Sequence, residues 1–229
     1  MRGAFMVRTK ENTARMTSES TSIIESPMFD RDEESASRLL NALANRRSFA
    51  LKDITADPVD RGVIAQLLEA ANWAPSHGKT EPWRFVVYSG AARQELSDAF
   101  GAAFHALNPA QPVGSPGELA QSQRVWQAPV WIALGMQPSQ KMPEWEDLIA
   151  FGSAVQNMHL MASALGLASK WTSGAVVLHP SVATVVGFAP DTKLYGFFYV
   201  GHPAIAWPTG QRRPIAEKVR WVDDHADAE

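Results

Sequence analysis

Four short clusters carry the residue types that could do chemistry. Arg46-Arg47-Ser48 sets two guanidiniums beside a hydroxyl. Such donors grip a phosphate through charge-assisted, partly bidentate bonds. Standing alone, the same three residues read as a solvated helix end, where arginine also complements the helix dipole. Gln211-Arg212-Arg213-Pro214 supplies a second arginine pair far along the chain. It can meet the first at one dianion, or it is a solvated charge run. The stretch from Trp73 to Phe85 places Ser76, His77 and Lys79 on a loop stiffened by Pro75 and Pro82. Donors on a loop held by a stiff scaffold suit ligand binding, but the stretch also reads as an ordinary helix-to-strand connection with Trp83 in the core. Lys170-Trp171-Thr172-Ser173-Gly174 offers an indole followed by hydroxyls. That order suits packing on a planar ring and bonding its edge, or else a core tryptophan beside a turn.

Other chemistries find little footing. No GxGxxG follows an apolar strand, and neither a Walker loop nor a GxSxG elbow is present. The histidines lack metal-ligand spacing, so no metal site is expected. Absence of cysteine excludes disulfides, thiolate chemistry and cysteine-held metal clusters. A formal net charge of -3 argues against a nucleic-acid partner. No apolar run approaches the ~18 residues of a membrane span. Arg2, Arg8, Lys10 and Arg15 are not followed by the apolar segment of a secretory leader. A cytoplasmic protein is the expectation, with a basic organelle-targeting start as the alternative.

These clusters must be positioned by regular elements. Residues 1–32 are polar and without periodicity, and read as a loosely ordered extension. A domain over 33–229 is expected, beginning with a helix whose Ala36, Leu39, Leu40, Leu43 and Ala44 recur at helical spacing. A second helix has Asp57 as its cap and Pro58 in its first turn, with Ile64, Leu67, Leu68 and Ala71 as its apolar face. Strands are expected at Arg84–Tyr88, Val130–Gly135 and Leu194–Gly201, with an extended segment over Trp171–Val177. Leu96, Ala99, Phe100 and Ala103 mark a third helix; a mobile loop follows from Asn108 to Gly117. Trp145–Leu165 reads as a long helix, apolar on most sides, and Pro180–Val186 as a short one ended by Gly187. Few strands among several helices predict an α+β layer fold around one central sheet.

In this order the clusters resemble the nitroreductase family of FMN-dependent flavoproteins, its compact members above all. The resemblance runs from Arg-Arg-Ser through Ala-Pro-Ser-His-Gly, Pro-Trp-Arg-Phe, Trp-Thr-Ser-Gly and Tyr-Gly-Phe-Phe-Tyr-Val-Gly-His-Pro to Arg-Arg-Pro, covering about Glu33 to Val222. It implies a mostly antiparallel sheet flanked by helices in an intertwined homodimer, with FMN at the subunit interface. Arg46 and Arg213, helped by Arg212, would hold the FMN phosphate. Ser48 would meet the ribityl or pyrimidine side and Arg47 the pyrimidine edge. Trp73 and His77 would come from the partner subunit, while Trp171, Thr172 and Ser173 line the flavin's other side. The chain departs from many relatives at Lys79, Glu81 and Thr172, where they have Asn, Gln and, in compact members, Arg.

The implied activity is reduction of nitroaromatics, quinones or similar acceptors by NADH or NADPH in a ping-pong cycle. The flavin carries the electrons, so no catalytic side chain is assigned. The alternatives are a dehalogenating or flavin-breaking specialist on the same fold, an FMN-binding redox sensor or storage module, and a non-enzymatic interaction protein whose arginines are surface features.

Overall fold

The computed structural model describes residues 32–222. The extension expected over 1–32 therefore lies, but for Asp32, outside the described residues. By its contacts the chain divides into two units, Met1–Leu40 and Asn41–Glu229. The boundary falls within the first helix, α1 (Glu33–Asn45). In the described part of the first unit, Asp32 Oδ1 accepts the Ser35 N–H at 2.8 Å and closes the first turn. Arg38 and Glu34 form an exposed ion pair one turn apart.

The second unit is built on four antiparallel strands in the order β1-β2-β4-β3. They are β1 (Trp83–Ser89), β2 (Val130–Met136), β3 (Ala168–Thr172) and β4 (Lys193–Gly201). Side chains alternate across a sheet, and here each face meets its own set of helices. Trp131 and Ala133 of β2, with Phe197 and Tyr199 of β4, pack against Leu96, Phe100 and Ala103 of α3 (Arg93–Leu107) and Val182 of α6 (Pro180–Val186). Ile132, Leu134, Phe198 and Val200 face the other way, against Leu67 of α2 (Arg61–Asn72) and Phe151, Val155 and Met158 of α5 (Glu144–Ala164). Every residue of β2 is buried, as a central strand covered on both faces requires. Each fully buried large apolar side chain contributes about 1.5–3 kcal/mol. Edge-to-face contacts of Phe100 with Trp131 and Phe197 order the first core. The α+β class with an antiparallel central sheet is thus as predicted.

Several local expectations change. Helix α2 is capped by Asp60, whose Oδ1 accepts the Gly62 N–H at 2.6 Å. Asp57 instead accepts the Thr55 hydroxyl at 2.7 Å, and Pro58 lies before the helix. The extended segment is Ala168–Thr172, ending at Gly174, whose φ of 146° turns the chain before Val177. The Pro- and Gly-rich loop from Asn108 closes into a short helix, α4 (Pro116–Gln123), where the Ser115 hydroxyl accepts the Glu118 N–H at 3.4 Å. Helix α5 is buried on one face only; Trp145 and Ile149 are each 61% exposed. Among the described residues no helix is long and apolar enough to cross a membrane.

Candidate functional site

Helix α1 ends on the Arg46 N–H to Ala42 carbonyl bond, and the chain turns through Arg46-Arg47-Ser48. Both ends of this turn are pinned. The Phe49 N–H donates to the Ser169 carbonyl of β3 at 3.1 Å, and the Tyr199 hydroxyl donates to the Phe49 carbonyl at 2.8 Å. Burial drives the Tyr199 phenol up to about 12, so it stays a donor. The C-terminal arm is tacked onto the same turn. Trp207 Nε1 donates to the Asn45 carbonyl at 2.7 Å, and the Trp207 ring meets Phe49 edge to face at 4.9 Å. Arg47 Nε donates to the Pro208 carbonyl at 2.8 Å, while its Nη1 bonds the Ala44 and Arg46 carbonyls. Gly210 lies so close over the Arg47 guanidinium that a Cβ there would collide with it. Arg47 is therefore a clasp between turn and arm, its Nε and Nη1 engaged by the chain's own carbonyls.

The clasp brings a second positive charge to Arg46. Burial, then the charges of Arg212 and Arg47, destabilise the charged form of the Arg46 guanidinium. The arm residue whose charge bears on Arg46 is Arg212. Arg213 is exposed, and its carbonyl accepts from Lys218 Nζ at 3.2 Å. Arg46 Nη1 reaches the exposed Ser48 hydroxyl at 3.5 Å, and Arg46 Nε is buried with no hydrogen-bond partner. Among the described residues no carboxylate pairs with Arg46, Arg47, Arg212 or Arg213. A buried donor without an acceptor among uncompensated like charges is a site that fits an anion.

His159 of α5 is buried beneath this turn, a neighbour the sequence did not reveal. Its Nδ1 lies 3.0 Å from the Ser169 hydroxyl, and its ring packs on Phe198 at 4.7 Å. Burial, aided by the charge of Arg46, lowers its pKa to about 4, so the ring is neutral at ordinary pH.

At the end of β3, Trp171 donates its indole N–H to the Tyr195 carbonyl at 2.9 Å and stands edge-on to Phe151. Thr172 is buried, and its hydroxyl accepts from Arg124 Nη2 at 3.4 Å. Ser173 is exposed. Gly196, at φ 125°, lets β4 cross the Thr172 carbonyl where any side chain would collide.

The third group stands apart. Trp73 caps α2, is 66% exposed and donates to Glu69 at 2.9 Å. Trp83 is core, as expected, with its indole on Asn72 Oδ1 at 3.2 Å. Between them, Lys79 and Glu81 hold left-handed backbone at φ 54° and 44°, conformations that cost non-glycine residues energy and gather at functional loops. His77 Nδ1 lies 2.5 Å from Glu146 Oε2, on the first turn of α5. That turn is fixed by Asp147, a buried carboxylate that accepts the Ser139 N–H at 2.8 Å. Burial alone would raise the Asp147 carboxyl, but hydrogen bonds led by the Ser139 N–H hold it below its ordinary range. Pro75, Ser76, His77, Trp145, Glu146 and Ile149 line an open groove of about 440 Å³. Among the described residues, Trp73 and His77 share no hydrogen bond, aromatic contact or cavity with Arg46 or Trp171.

The model of the nitroreductase family matches residues 43–202. The YdjA protein of Escherichia coli K12, whose name assigns it as an NAD(P)H nitroreductase, is 31% identical over 180 residues, spanning 76% of this chain and 93% of its own. Among solved structures, a nitroreductase-like family protein from Bacillus cereus superposes with a TM-score of 0.70 at 28% identity, covering 81% of this chain and 96% of that one. The FMN- and NADPH-dependent nitroreductase NfnB from Sphigopyxis sp. strain HMH superposes with a TM-score of 0.62 at 25% identity, covering 80% and 98%. The family model and these relatives agree with the fold, and the chain belongs to the nitroreductase family.

Proposed function

We propose that the protein is an NAD(P)H-dependent FMN oxidoreductase that reduces nitroaromatics, quinones or similar acceptors. One observation carries the reading: the buried, unpartnered Arg46 Nε, crowded by Arg47 and Arg212 with no carboxylate among the described residues to answer them. A phosphate monoester supplies the missing acceptor and the missing charge. The FMN-dependent relative supports the choice of FMN.

Arg46 and Arg212 would hold the phosphate, with Arg213 a looser contributor. Arg47 holds the arm in place, and its Nη2, without a hydrogen bond among the described residues, would meet the ligand. Ser48 adds a hydroxyl beside Arg46. Trp171, Thr172 and Ser173 would border the flavin ring. FMN, when bound, passes two electrons and a proton as hydride between donor and acceptor. Trp73 and His77 would act on the flavin held by a second copy, because among the described residues they share no hydrogen bond, aromatic contact or cavity with the arginine turn. The protein would thus work as a homodimer. Donor and acceptor would use one site in turn.

The test is direct. Purified protein is expected to be yellow, to release FMN on heating, and to oxidise NADH or NADPH faster with a nitroaromatic or quinone, giving parallel double-reciprocal lines. A colourless protein that takes up no flavin would overturn the reading.

A further inference from the structure

Reduction of a quinone to the hydroquinone takes two electrons and two protons. Reduction of a nitro group to the nitroso group takes the same, with one oxygen leaving as water. A hydride supplies both electrons and one proton, so one proton must come from elsewhere. The sequence offers no acid for it. The structure does, in a contact between two residues 69 positions apart, His77 and Glu146.

Resting on the oxidoreductase reading, we propose that His77 is the proton donor to the bound acceptor and that Glu146 is its positioning residue. Glu146 Oε2 takes the Nδ1–H at 2.5 Å. When one ring nitrogen is committed in this way, the tautomer is set and the other nitrogen, Nε2, does the proton exchange. Glu146 is itself held, since it lies on the turn of α5 that the buried Asp147 fastens to the Ser139 backbone. The imidazole is not buried by its partner: the His77 side chain is 65% exposed and Glu146 only 21%. Within one protomer the proton-bearing ring therefore projects outward, while its carboxylate is sheltered. The groove at its side is mainly apolar, with Pro75, Trp145, Ile149 and Ala150 in its lining. A planar aromatic acceptor laid on those side chains presents its oxygen to the imidazole at the rim. Protonated His77 then gives the Nε2 proton to the quinone or nitro oxygen as the hydride arrives, and the neutral ring regains a proton from water. Atoms and charge balance without any further reactant.

The strained backbone beside His77 fits this role. Gly78 and Lys79 both adopt positive φ immediately after it, a turn that fixes the loop instead of letting it extend.

The experiment separates proton delivery from electron delivery in the flavin-loaded protein. The reduced enzyme is mixed in stopped flow with p-benzoquinone, with nitrobenzene, or with ferricyanide, which takes electrons and no proton. For His77→Gln the expected result is a loss of about 100-fold or more with the two organic acceptors. Reoxidation by ferricyanide should fall far less, so that the ratio of the quinone rate to the ferricyanide rate drops by about 100-fold. Imidazole added to His77→Ala should restore the organic reactions, a rescue that a purely structural role does not give. Independently of turnover, ¹⁵N shifts of the His77 ring above neutral pH should show Nδ1 protonated in the wild type, and Nε2 protonated in Glu146→Ala. Equal losses with quinone and ferricyanide, a flavin-loaded His77→Gln that reduces quinone at the wild-type rate, or variants whose activity falls only in step with lost FMN would each overturn the proposal. Failure of the wild type to bind FMN would instead defeat the oxidoreductase reading itself.

Discussion

Trp207 donates its indole N–H to the carbonyl of Asn45, 162 residues earlier, at 2.7 Å. This one bond lands the C-terminal arm on the last residue of α1, and the arginine pair of the arm follows five residues later. The two arginine clusters meet because an aromatic residue between them is anchored, not because they attract each other; like charges alone would drive them apart.

Loss of the anchor should therefore loosen the anion site without touching an arginine. Trp207→Phe keeps the ring on Phe49 and removes one neutral hydrogen bond, at a cost of about 0.5–1.5 kcal/mol. Trp207→Ala also removes the ring contact and should cost more. Limited proteolysis of the arm should accelerate in the order wild type, Phe, Ala, and FMN affinity should fall in the same order. Unchanged FMN affinity in Trp207→Ala would separate arm and site.

The two arm arginines should prove unequal. Arg212 acts on Arg46, whereas Arg213 does not figure among the charges that perturb it. Arg46→Ala and Arg212→Ala are each expected to weaken FMN binding by roughly 1.5–3 kcal/mol, the worth of a hydrogen bond to a charged group. Arg213→Ala should cost less than either. Flavin fluorescence titration measures all three, and a ranking with Arg213 first would reverse the assignment.

A pH dependence follows from His159. Its folded pKa of about 4 lies below the ordinary value of 6.5, so the unfolded chain binds the extra proton between these limits. Stability from this group is complete above about pH 6.5 and is lost as pH falls toward 4. A gap of that width between the folded and unfolded imidazole corresponds to a loss of roughly 3 kcal/mol. Urea denaturation across this window should show the decline, and His159→Leu should flatten it. A slope identical in wild type and variant would place the acid sensitivity elsewhere.

Gly196 is expected to be intolerant of any side chain. With φ at 125° and the Thr172 carbonyl oxygen where a Cβ would stand, Gly196→Ala must shift β4 away from β3. A loss of about 1–3 kcal/mol is the scale of such local strain. A thermal melt shows it, and an unchanged midpoint would mean that β3 moves freely.

Much of the fold was legible because buried periodicity is a local signal. The apolar runs Val130–Gly135 and Leu194–Gly201, and the apolar stripe of α3, sit where expected to within a residue or two. Missed features had competing local signals. Asp57-Pro58 imitates a helix start, yet Asp60 is the residue whose carboxylate reaches the second N–H beyond it. Pro116 and Gly117 suggested loop throughout, although proline is at home in a first helical turn. For the site, residue types at element ends singled out the arginine turn and the His77 loop. Their partners were invisible, because Arg47–Pro208, His77–Glu146 and His159–Ser169 are matched by tertiary placement and not by spacing. Arg47 illustrates the limit: its charge suggested a ligand, but most of its donors hold the chain to itself.

The central claim is that the arginine turn and arm form a phosphate site, and riboflavin against FMN tests it most directly. The two differ only by the phosphate. Isothermal titration of the flavin-free wild type should give FMN binding at least about 100-fold tighter than riboflavin, the equivalent of two charge-assisted bonds. In Arg46→Ala about half of that free-energy difference should vanish, with riboflavin affinity little changed. Equal affinity of the wild type for riboflavin and FMN would contradict the account.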